Sequence, residues 1–253
     1  MYGLIHHPLL VFAVSLLLLW LSARLGRRLI GRQCQLEEEL RADFVVILGA
    51  TLTLLGLIIG FSFSMAMVRY DLHKGREAAE AIAIETEYVR AGLLPASDAE
   101  KLRTMLKLYL GERINFYQTA GDSELRSIAA RTAVLEAGMW SCVMTAADAR
   151  PTPVIALTVS GLNDVLNSQR FTQAGYWNRI PLAAWGMMGV IGIGCNMLVG
   201  YGSRSLTARS CMLHVLPVLV SISFMFIADI DSPRHGIVRV LPQNLTNLAG
   251  SLS

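Results

Sequence analysis

The chain reads as an all-α polytopic membrane protein with four transmembrane helices and an extramembrane helical domain. Three observations predict this. Apolar residues make up 53% of the 253 residues while charged residues make up only 16%, against about a quarter in an average soluble domain. The apolar residues gather in four blocks, each near the ~20 residues that cross a hydrocarbon core as helix. Between the second and third blocks lie more than a hundred residues, far less apolar than the blocks, with helical periodicity and no strand-like alternation.

The first block runs from about Leu4 to Ala23, densest at LLVFAVSLLLLWL, with Pro8 suited to a first helical turn. A cleaved signal peptide fits it poorly, because no Lys or Arg precedes it and no A-x-A site precedes the arginines that follow. The second block is Phe44 to Val68, the third Ile180 to Tyr201, the fourth Cys211 to Ile230. The chain divides accordingly into 1–68, the helical domain 69–179, the second span pair 180–230, and a tail 231–253.

Inside the helical domain, Leu72 to Leu93 reads as an amphipathic continuation of the second span, ended by Leu94-Pro95. Ser97 with Glu100 has capping-box spacing and opens a helix in which Leu102, Met105, Leu106, Tyr109, Leu110 and Ile114 recur at helical intervals. A third helix spans Ser123 to about Thr145, and Pro151-Thr152-Pro153 opens a fourth toward Gln173. Thirteen basic and thirteen acidic residues leave the domain neutral, so its charges read as solvated faces. Net charge is +3 overall, with arginines mostly at span ends, and nothing points to nucleic acid.

Cys34, Cys142, Cys195 and Cys211 show no paired spacing and read as small buried hydrophobes. No catalytic triad order, HExxH or phosphate-cradling glycine loop occurs, so neither enzyme chemistry, a cofactor nor a metal is expected. His73 and Glu77 stand i, i+4 but are too few for a metal site and read as surface residues. Glu80, Glu85 and Glu87 share one helix without an obvious nucleophile, and His214 is alone in its span.

The second span carries the most information. Gly49, Thr53, Gly56, Gly60 and Ser64 share a narrow face, so Gly49, Gly56, Gly60 and Ser64 are candidate helix-packing positions, with Gly56-x-x-x-Gly60 the spacing of close approach. Beside that face Thr53, Leu57 and Phe61 form a stripe of rising size. In an oligomer with this helix around the axis, such a stripe is a hydrophobic constriction that gates by dewetting. In a monomer it is a packed core. Periodicity serves both readings.

Gly60-Phe61, followed after seven residues by Arg69-Tyr70, is similar to the second span of bestrophins, with Asp71 in place of a usual second aromatic. The tail IADIDSPRHGIVRV resembles the acidic stretch after the bestrophin fourth span, with His235 near the place of a phenylalanine. With Glu85-x-Glu87, Leu93-Leu94-Pro95 and Arg179-Ile180-Pro181, the layout most closely resembles the bacterial bestrophin-like family of unknown function.

The resemblance implies a pentameric ion channel in the bacterial inner membrane, with Thr53, Leu57 and Phe61 at the hydrophobic-neck positions. It also implies a cytoplasmic helical domain, and the bilayer, permeating ions and further copies of the chain as partners. Arginine counting does not decide orientation: seven basic residues flank each side of the spans, and those after the first favour an outward amino terminus. The alternative function is a membrane scaffold or signalling protein whose helical domain binds a partner.

Four charged residues complete the candidate set. Arg69 and Asp71 flank the exit of the second span, Arg69 as an interface anchor or either in a charged ring. Asp229 and Asp231 end the fourth span, to attract ions or to form helix-end salt bridges with Arg234 or Arg239. Calcium would require more oxygen ligands than the tail offers.

Overall fold

The computed structural model describes residues 7–30, 38–177, 180–202, 212–232 and 236–252, and every regular element among them is helical. Leu4, Arg32, Cys34, Arg179, Arg204, Arg209, Cys211, Pro233, Arg234 and His235 lie outside the described residues. The helices are α1 (Pro8–Leu25), α2 (Glu38–Arg90), α3 (Ala96–Gln118), α4 (Asp122–Ala149), α5 (Pro153–Trp177), α6 (Leu182–Gly202), α7 (Met212–Ile230) and α8 (Gln243–Leu252).

Among the described residues, three helices are long and apolar enough to cross a membrane: Pro8–Arg28, Ala42–Leu93 and Leu182–Gly202. The fourth apolar block forms a shorter apolar helix, His214–Ile230. The chain divides into two compact units, Met1–Arg69 with Arg179–Val238, and Tyr70–Asn178 with Arg239–Ser253. The residues after the fourth apolar helix are shared between the two units, those up to Val238 in the first and Arg239–Ser253 in the second.

In the first unit, α1 packs against α6 and α7. Two glycines allow the closest approach: a Cβ at Gly200 would collide with the Ala23 carbonyl, and one at Gly26, in the π-helical turn Gly26–Ile30, with the Met197 carbonyl. Leu19, Ala23, Met188 and Ile227 are fully buried in this bundle. One side of α2 joins it through buried Leu55 and Ala66, the Cys195 thiol donating to the Thr51 carbonyl at 3.3 Å, and an edge contact of Phe44 with Tyr201.

In the second unit, α3 packs on α4, α4 on α5, and α8 on α3, around Ile84, Leu102, Leu106, Tyr109, Met139, Val143, Leu162 and Leu245. The 53-residue α2 runs uninterrupted out of the first span. It closes in a 3₁₀ turn, Ala91–Leu93, and Leu94 turns extended before Pro95, as the clash between a proline ring and the preceding residue demands.

The expected capping box does not form. Pro95 is the N-cap of α3 and its carbonyl accepts from the amides of Asp98 and Ala99, so Ser97 already lies inside the first turn. Thr152 does cap α5, accepting from the Ile155 amide at 3.3 Å.

Candidate functional site

The face of α2 that carries Thr53, Leu57 and Phe61 is exposed among the described residues. Leu57 is 53% and Phe61 63% exposed, whereas Leu55 and Ala66 on the other side are buried. Thr53 is exposed too, but its hydroxyl donates to the Gly49 carbonyl at 2.9 Å, so the stripe offers water little free donor capacity. The glycine face behaves likewise. A Cβ at Gly49, Gly56 or Gly60 would find no atom within 4 Å, and Ser64 is exposed. Among the described residues nothing covers Gly49, Gly56 or Gly60, while helix backbones of the first unit meet at Gly26 and Gly200.

Further along α2 the exposed stripe continues. Phe61, Met65, Val68, Leu72, Gly75, Ala79, Ile82, Thr86 and Val89 are all exposed, at alternating steps of four and three, the spacing of a helix seam. The opposite seam of the same helix, His73, Glu77, Glu80, Ile84, Glu87 and Ala91, is buried. This reverses the usual amphipathic order. Beyond the span, three carboxylates face inward while Ile82 (62%) and Val89 (67%) face outward.

Each buried acid is handled differently. Glu77 accepts from the Asn244 amide nitrogen at 2.6 Å and the Leu245 backbone amide at 3.0 Å, capping the start of α8. Glu80 pairs with fully buried Arg113 and also accepts from Tyr117 at 3.1 Å and Thr172 at 3.2 Å. Burial alone would lower the Arg113 pKa, but the Glu80 carboxylate beside it more than offsets this, and the net shift is upward. His73 and Glu77, expected at the surface, are thus core residues, and Glu80 and Glu87 are missed as such. Their common spacing with Ile84 and Ala91 is the one sequence signal that marks this seam.

The acids at the end of α7 hold backbone amides and Arg69. Asp231 accepts from the Ile180 amide at 3.3 Å and pairs with Arg69 at 3.3 Å, joining the end of α7 to the approach of α6 and to α2. Asp229 accepts from the amides of Ile237 and Val238 at 2.7 and 2.9 Å and so holds the turn that follows. Arg69 is an ion-pair partner of Asp231 rather than only an interface anchor, and Asp71 is exposed beside it.

No protein-family model matches the sequence, and no curated protein does. Solved structures do. A single-substitution variant of a bacterial bestrophin homologue from Klebsiella pneumoniae is similar at 16% identity and a TM-score of 0.64, over 95% of this chain and 97% of that one. A second variant gives 16% identity and a TM-score of 0.62 over 94% and 97%. The homologue solved by zinc phasing gives 15% and 0.62 over 94% and 98%. The likeness spans nearly the full length of both chains, and this chain has the bestrophin-like fold.

Proposed function

We propose that the chain is the subunit of a homo-oligomeric, bestrophin-like ion channel in which α2 lines the pore and Thr53, Leu57 and Phe61 form its hydrophobic neck. The observation that carries this reading is the continuous exposed seam of α2. Within a bilayer, lipid covers exposed Leu and Phe at no cost. Beyond the charged residues Arg69, Asp71 and Lys74 it cannot, yet Ile82 and Val89 stay exposed on the same seam. Covering a side chain of this kind contributes about 1.5–3 kcal/mol, and an apolar stripe left uncovered marks an interaction surface.

A second copy suits that surface because the seam is regular and rich in small residues, Gly75 and Ala79 among them. Copies arranged about an axis bring Leu57 and Phe61 together as rings, which gate by dewetting. In this reading the helix His214–Ile230 crosses the bilayer as a fourth span, five copies assemble in the bacterial inner membrane, and the helical unit faces the cytoplasm. The chain works without a cofactor and without enzyme chemistry.

The test is ion flux through the purified protein in liposomes. Wild type conducts, and Phe61→Ala and Leu57→Ala each raise flux severalfold by widening and wetting the neck. Flux that ignores both substitutions overturns the pore assignment. A monomeric protein without flux favours the second reading, a scaffold whose exposed Leu72, Ile82 and Val89 face binds a different protein.

A further inference from the structure

Glu87 lies on the buried seam of α2 but, unlike Glu77 and Glu80, its carboxyl has neither a cation in contact nor a hydrogen-bond donor. The residue is fully buried and neither oxygen has a partner. Its space is made by Gly161 of α5, where a Cβ would collide with Glu87 Oε2. The nearest cation, Arg90, is engaged elsewhere: its guanidinium lies 3.9 Å from the Asp164 carboxylate and donates to the Leu157 carbonyl at 3.5 Å. Thr158 donates to the Arg90 carbonyl at 3.3 Å, so the same few residues of α5 also satisfy the end of α2.

A carboxylate in this notch would lose its hydration with no donor in exchange, so the neutral acid is favoured. Burial pushes the Glu87 carboxyl up to about 8; Arg90, from α2 itself, pulls it down, and Asp164, from α5, pushes it up. These are the charged groups that face it.

We propose that Glu87 is a proton-binding site that sets how tightly α5 lies against α2. Neutral, the side chain fills the notch over Gly161 and the seam stays closed. Ionised, it draws in water or pulls Arg90 from Asp164 and Leu157, and the seam loosens. The proposal concerns the helical unit alone and holds whether or not the chain conducts.

The test is hydrogen exchange of the full-length protein in detergent, read by mass spectrometry from about pH 6 to about pH 9.5 after correction for the intrinsic exchange rate, a range that brackets a carboxyl raised well above its reference value. In wild type, amides around Glu87 and Gly161 lose protection as pH passes about 8. Glu87→Gln stays protected throughout, and Asp164→Asn moves the transition to lower pH. Asp164 is 66% exposed, so its substitution leaves the packing intact and keeps the test open should Glu87→Gln fail to fold. The absence of a transition in wild type, the same transition in Glu87→Gln, or one unmoved by Asp164→Asn overturns the proposal.

Discussion

Arg113 shows what one buried charge demands. It is 1% exposed and answered by Glu80, with Tyr117 and Thr172 filling the remaining acceptor capacity of that carboxylate. Removing one partner of a buried pair leaves the other charge uncompensated, which costs about 3–5 kcal/mol. Glu80→Ala therefore destabilises the helical unit by that order, read as a lowered unfolding midpoint in detergent. Glu112→Ala, which breaks the pair with exposed Arg131, leaves the midpoint almost unchanged. Glu87 makes the opposite kind of contribution. Its carboxyl titrates near 4.5 when unfolded and near 8 when folded, so between these values the unfolded chain releases a proton that the folded chain keeps. Stability falls with rising pH across that window and levels off above it. Glu87→Gln flattens the fall, and thermal unfolding at each end of the window measures it. None of these roles was legible in the sequence. A helix face with Glu77, Glu80 and Glu87 reads as solvated, and only the partners Asn244, Arg113 and Gly161, all distant along the chain, reveal that these acids point inward.

Among the elements, what could be read was set by local chemistry. Leu94-Pro95 ends α2 and Pro153 opens α5 because a proline fixes its own backbone and restricts the residue before it. Ser97 misled for the same reason, since Pro95 starts α3 two residues earlier. Glycine spacing alone does not say where the chain packs on itself. A Cβ at Gly56 or Gly60 meets no atom of the described residues within 4 Å, whereas Gly26 and Gly200 touch facing backbones without a G-x-x-x-G pair. Their partners, Met197 and Ala23, are brought near only by the fold. Gly200→Val should therefore separate α1 from α6 and lower the thermal midpoint of the purified protein. Gly111 sits exposed within α3, where a Cβ meets nothing, so Gly111→Ala stabilises by about 0.5–1 kcal/mol through the lower conformational freedom of alanine. The same thermal scan reads both variants with opposite sign.

For the whole molecule, the four apolar blocks and their order were legible because a bilayer sets the length and composition of a span, and the helical character of the intervening segment because its apolar residues recur at helical spacing. The assignment of the tail was not. Asp231 reaches Arg69 in the first unit, and α8 is capped by Glu77 of the second, and both links join residues more than a hundred positions apart. A homo-oligomeric channel requires α2 to face other copies of itself along the seam that contains Phe61. Disulfide cross-linking of Phe61→Cys in membranes reads this contact, with the native cysteines of the unsubstituted protein as control. The expected result is a copper-catalysed dimer band that the unsubstituted protein lacks. A chain that stays monomeric under the same oxidation, with the introduced thiol still reactive to a small maleimide, would contradict it.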